Sequence, residues 1–114
     1  MLVRIDMRRI QNWDTFHDVF AETFGFPDYY GRNMNAWIDC MTYLNDPNIT
    51  DISVKAKPGE VVVLQLDNVD DLCERCPEIY EALVECAAFV NWRQIEVGEG
   101  PVLTLSFYKS TFHN

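Results

Sequence analysis

At 114 residues the chain is the size of one domain, since two cores would each be too small to hold together. Hydrophobic residues make up 48% of it, seven of them Phe, which supplies a core without any disulfide staple. Eighteen Asp and Glu against nine Lys and Arg leave a formal charge of -9, which speaks against direct binding of nucleic acid or an anionic membrane and favours a basic protein partner, although acidity can also serve solubility alone.

The chain opens with an apolar run, Leu2 to Ile5, that predicts a short strand. Arg4, Asp6, Arg8 and Arg9 interrupt the first ten residues, so these lack the apolar core of a secretory signal. No later stretch reads as a membrane span. A cytoplasmic protein is expected, with Cys40, Cys73, Cys76 and Cys86 as reduced thiols and the sequon Asn48-Ile49-Thr50 incidental.

Asn12 or Asp14 can cap a following helix whose apolar side is Trp13, Phe16, Phe20 and Phe24. Gly25 ends it, and Pro27 makes Phe26 to Gly31 a turn that carries the adjacent Tyr29 and Tyr30. A second helix runs from about Asn33 to Leu44. The polar stretch Asn45 to Glu60, with Pro47, Pro58 and Gly59, reads as a loop. Val61 to Leu66 (VVVLQL) is the pattern of a central parallel strand. Pro77 suits a helix start, and Ile79, Tyr80, Leu83, Val84, Ala87, Ala88 and Val90 recur with helical spacing until Gly98 and Gly100. Val102 to Phe107 (VLTLSF) closes the chain as a strand. The order strand, helix, helix, strand, helix, strand predicts an α/β fold, a small three-stranded parallel sheet with packed helices, in one domain over 1–114.

On the second helix, Met34, Trp37, Cys40, Met41 and Leu44 form a stripe that predicts the core face. The opposite arc gathers Asn35, Ile38, Asp39 and Thr42, with Asp28, Tyr29, Tyr30 and Asn33 at its N-terminal end. Such an arc is either an ordinary solvated face or a contact surface, and neighbouring tyrosines favour contact, since they offer apolar area with a polar tip.

The run Phe26-Pro27-Asp28-Tyr29-Tyr30-Gly31-Arg32-Asn33-Met34-Asn35-Ala36-Trp37-Ile38-Asp39-Cys40-Met41-Thr42 resembles the signature segment of the barstar family, intracellular inhibitors of barnase-type ribonucleases. Elsewhere the similarity rests on the order of elements. The resemblance implies a barstar-like fold, a binding function without catalysis or cofactor, and a basic, extracellular-type ribonuclease as a one-to-one partner. It implies partner-binding roles for Tyr29, Gly31, Asn33, Asn35, Ile38, Asp39 and Thr42, with Asp39 standing in for a substrate phosphate. Asn35 and Ile38 depart from the best-known family member, which has an aspartate and a tryptophan there.

Other chemistry has weaker footholds. Cys73-Glu74-Arg75-Cys76 is a C-x-x-C next to a helix start, the setting of a thiol redox pair or of two incidental thiols. Cys40 and Cys86 stand alone, and His17 and His113 make no H-x-x-x-H pattern, so no metal site is expected from them. Asp67, Asp70, Asp71 and Glu74 follow the central strand, where acids either favour a helix start or hold Mg²⁺.

Overall fold

The computed structural model describes residues 1–110, so His113 lies outside the described residues. Three runs of aliphatic and β-branched residues form β1 (Leu2–Asp6), β2 (Val62–Asp67) and β3 (Leu103–Tyr108). They lie parallel in the order β1-β2-β3, with Arg4 beside Gln65 and Gln65 beside Ser106. The middle strand has a neighbour on each edge and loses its solvent faces, which is why Val62, Leu64, Gln65 and Leu66 are all buried. The expected α/β architecture is the one the chain adopts.

Parallel strands need long crossovers, and helices supply them. Helix α1 (Trp13–Phe24) starts at a capping box: Asn12 Oδ1 accepts the Thr15 N–H at 2.9 Å and Thr15 Oγ1 accepts the Asn12 N–H at 3.0 Å. Phe16, Phe20 and Phe24 are fully buried, while Trp13, expected on the same apolar side, sits at its edge and is 38% exposed. Helix α2 (Met34–Thr42) follows, and its Trp37 packs edge-on against Phe20 with ring centroids 5.5 Å apart.

The sequence order contains one long helix between the last two strands, and the structure corrects this to two. Helix α3 (Val69–Arg75) and helix α4 (Pro77–Glu96) are separated at Cys76, which takes φ -137° and ψ 63°. Pro77 has no N–H for a helical hydrogen bond and disfavours helical geometry in the residue before it, so the chain must break there. Arg75 Nη2 donates to Ile10 O at 3.0 Å and ties α3 to the 3-10 turn Met7–Arg9.

The 45–60 connection has no helix or strand, yet it is fastened at both ends. The Ala56 N–H donates to Leu44 O at 2.8 Å, and Ile52 and Ala56 are buried. Next to α1, the Ser53 N–H donates to Gly25 O at 3.2 Å and the Val54 N–H to Phe24 O at 3.0 Å. Gly25 has φ +68°, and a Cβ there would lie 2.2 Å from Ser53 Oγ, so glycine is required both by the backbone and by the approach of this loop. No helix among the described residues is long and apolar enough to cross a membrane.

Candidate functional site

The turn between α1 and α2 separates its two tyrosines. Tyr30 turns inward: its hydroxyl is hydrogen-bonded to His17 Nδ1 at 2.6 Å, its ring lies 4.7 Å from that of Phe26, and burial pushes its phenol up. Burial also lowers the pKa of His17, with Arg32 adding to the effect and Asp14 and Asp18 opposing it. Tyr29 turns outward and is 77% exposed. The inward tyrosine anchors the turn, and the ring of its neighbour faces solvent.

Gly31 is exposed and has ordinary backbone geometry; a Cβ there would sit 3.4 Å from Asn33 Nδ2, a normal contact. The left-handed residue is Arg32, at φ 53°. Arg32 is held by Asp18 Oδ1 at 2.9 Å and by donation to Asp14 O at 3.0 Å, which fixes the turn against α1. Asn33 is the N-cap of α2, its Oδ1 accepting the Ala36 N–H at 2.8 Å.

On α2 the exposed arc is narrower than helical spacing suggests. Asn35 and Asp39 are exposed, but Ile38 and Thr42 are only 9% and 6% exposed, so two of the residues placed on the contact arc lie inside. The reason is a second neighbour: α2 packs on α4 as well as on the α1 side. Gln94 Nε2 on α4 donates to Thr42 O at 2.7 Å, and Thr42 Oγ1 donates to Ile38 O at 2.6 Å. What remains outward is Asn35, Asp39 and, one turn on, Tyr43.

Two residues that periodicity does not single out complete this surface. Arg93 on α4 reaches across to Asp39, Nη1 to Oδ1 2.8 Å, with side-chain exposures of 31% and 63%. Asp51, from the irregular connection, accepts a hydrogen bond from the Tyr29 hydroxyl, which raises the phenol pKa. Cys40 lies beneath: burial first, then the charges of Asp39 and Asp51, push its thiol up to about 11, so it remains protonated. Beside Arg93, a cleft of about 530 Å³ opens between Tyr43, Asp46, Pro58, Val97 and Glu99. The whole is an exposed surface with two carboxylates, Asp39 on α2 and Asp51 on the connection, flanked by Tyr29 and Tyr43.

The alternative chemistries find little support in the geometry. Cys76 is buried, and burial raises the Cys73 thiol, the opposite of the lowered pKa that activates a redox cysteine. The acids after β2 have separate partners: Asp67 takes Arg4 at 3.1 Å, Asp71 takes Arg75 at 2.7 Å, and Asp70 accepts from Ser110 N at 2.7 Å.

Fold and surface together define a small α/β protein whose second helix turns Asn35, Asp39 and Tyr43 to its surroundings. The family model described as Barstar (barnase inhibitor) matches residues 1–102, and the chain belongs to that family. A relative from Bacillus subtilis (strain 168), described as "Putative ribonuclease inhibitor YrdF", is 47% identical over 38 residues. That stretch covers 33% of this chain and 42% of the relative.

Proposed function

We propose that the chain inhibits a basic, barnase-like ribonuclease by seating the exposed face of α2 in the enzyme's active site, one inhibitor to one enzyme. The observation that carries this reading is the state of Asp39. Its carboxylate is largely exposed, stands on a helix fixed from both sides, and already holds a guanidinium at 2.8 Å. A ribonuclease arrays Arg, Lys and His around a phosphodiester, and a carboxylate preset to take a guanidinium can occupy the phosphate's place. The family is described by inhibition and not by a reaction, and the charge of -9 draws in a basic partner at long range.

Tyr29 would stack on the partner at the end of the face. Gly31 would let the partner's backbone approach, and Asn35 would contribute amide hydrogen bonds. Asn33 acts through the cap that starts α2. Ile38 and Thr42 act by holding the helix, since neither is free to touch a partner. Such an inhibitor serves as an antitoxin or immunity protein when it stays in the cytoplasm of a cell that exports its nuclease.

Cleavage of RNA by barnase, measured with and without the protein, tests this. Inhibition is expected, and Asp39→Ala should weaken binding by about 2 to 5 kcal/mol, the range for truncating one member of a desolvated charge pair. Equal inhibition by the wild type and the Asp39→Ala variant would remove the basis of the proposal.

A further inference from the structure

Tyr29 is exposed, and the one hydrogen bond of its side chain among the described residues runs to Asp51, 22 residues further along the chain. Both ends of this contact stand on fixed backbone. On the turn, the Tyr30 N–H donates to Pro27 O at 2.9 Å, and the Tyr30 hydroxyl is bonded to His17 Nδ1. On the connection, Ile52 beside Asp51 is buried, and the Ser53 N–H donates to Gly25 O at 3.2 Å. Lys55 Nζ donates to Tyr43 O at 3.0 Å and to Asp46 O at 2.8 Å, which ties the connection to the end of α2. We propose that Asp51 is a positioning residue for recognition: it holds the Tyr29 ring in its docking pose and makes the phenol a fixed acceptor for a cationic N–H donor on the ribonuclease. The role rests on the function proposed above and adds to its contact face a residue from the irregular connection.

A tyrosine hydroxyl has one proton and two lone pairs, and a carboxylate only accepts. With its proton given to Asp51, Tyr29 offers a partner only lone pairs and a ring face. The group opposite must therefore be a donor, because a carbonyl or carboxylate finds no hydrogen there. A hydrogen bond to an anion also polarises the phenol and makes its oxygen a better acceptor. An Arg, Lys or protonated His, the groups that hold RNA phosphates, meets both requirements. Order is the second contribution. An exposed tyrosine fixed only through its backbone moves among staggered rotamers, and a partner must order it on docking. The bond to Asp51 orders it beforehand. The pair also stands close to Asp39, since the charges of Asp39 and Asp51 both act on the thiol of Cys40.

The test measures the affinity of the full chain for barnase by titration calorimetry. It compares wild type, Asp51→Ala, Asp51→Asn, Tyr29→Phe, the double variant Asp51→Ala with Tyr29→Phe, and Asp39→Ala, each first shown to be folded by circular dichroism. Salt at about 0.3 M screens the general loss of one negative charge. Asp51→Ala should lose about five- to tenfold in affinity, and Asp51→Asn less, since an amide oxygen still accepts the phenol proton. In the Tyr29→Phe background the same Asp51→Ala change should cost less than about twofold, because a residue that acts through the hydroxyl then has nothing to hold. In the free protein the Tyr29 phenol, raised by this bond, should titrate at lower pH in Asp51→Ala, followed by NMR. An unmoved titration, or an affinity of Asp51→Ala within about twofold of wild type while Asp39→Ala is much weakened, would overturn the role of Asp51 and leave the proposed function standing. An equal loss in both backgrounds would overturn it as well and make Asp51 a direct contact. Failure of wild type to bind, or of Asp39→Ala to matter, would remove both.

Discussion

Acidic residues at two places in this molecule are treated in opposite ways. At the carboxyl ends of β1 and β2, Asp6 accepts from Arg8 N at 3.0 Å, Arg8 Nη2 at 2.8 Å and Asn68 Nδ2 at 2.8 Å, and Asp67 takes Arg4 and Gln65. On the α2 face, Asp39 has one ion-pair partner and Asp51 accepts from one tyrosine. The first group is used up in joining strands, turns and helices; the second keeps most of its hydrogen-bonding capacity for something else. Partner count and exposure, more than charge itself, separate a carboxylate that holds the fold from one that can hold a partner.

Exchanging the roles by mutation breaks this comparison if it is wrong. Asp39→Ala should produce the largest effect on binding, about 2 to 5 kcal/mol, and yet shift the unfolding free energy by less than about 1 kcal/mol, because an exposed ion pair contributes little to stability. Denaturant unfolding beside a binding titration reads both numbers.

The second largest effect is on the scaffold of the face. Gly25→Ala forces an L-residue into φ +68° and drives a methyl onto Ser53, and should cost about 3 kcal/mol of stability. Because Ser53 is two residues from Asp51, the variant should also weaken binding after stability is restored by lower temperature. Unchanged stability would mean that the 45–60 connection is not clamped to α1.

The fold could be read from the sequence because its elements are long and strongly patterned: VVVLQL could only be an inner strand, and Trp13 to Phe24 repeats aromatic residues at helical spacing. The face of α2 was half readable. Periodicity separates one core side from one outer side, but a nine-residue helix gripped by two neighbours has a buried arc wide enough to include both Trp37 and Thr42. Whether Ile38 lies in or out depends on α4, which is far off in sequence and announces no such contact. Arg93 and Asp51 are unreadable for the same reason, each being defined by a partner 54 or 22 residues away. The break at Cys76 had a signal in Pro77, since the residue before proline avoids helical geometry.

Acid tests the fold-holding group next. The contacts to Asp6, above all the side-chain bond from Arg8, lower its pKa from 3.8 to about 2. A carboxyl lowered on folding adds stability that is complete above about pH 3.8 and is lost as pH falls towards 2. His17, lowered by burial, binds its proton more readily when unfolded, so its contribution is complete above about pH 6.5 and declines as pH drops below that value. Stability against pH should therefore fall in two stages. Asp6→Ala should lower neutral-pH stability by about 2 kcal/mol, shrink the lower stage to the part supplied by Glu60 and Asp70, whose carboxyls are lowered by their own hydrogen bonds, and leave barnase binding unchanged. A lower stage of undiminished size would assign it wholly to those other carboxylates.

The smallest effect bears most directly on Asp39. Its partner Arg93 is a cation in a face proposed to meet cations, so it both occupies the carboxylate and adds a like charge opposite the enzyme. Binding must displace it, at a modest cost for a pair this exposed, under about 1 kcal/mol. Arg93→Ala should thus leave stability nearly unchanged and strengthen binding by a few-fold, mostly through faster association, since the freed carboxylate extends the negative field that guides the partner in. The gain should shrink as salt rises from 0.05 to about 0.5 M, where screening acts within a few ångströms. Slower association in the variant would instead make Arg93 a residue that orients Asp39 for the partner, and would join the two helices into a single recognition element.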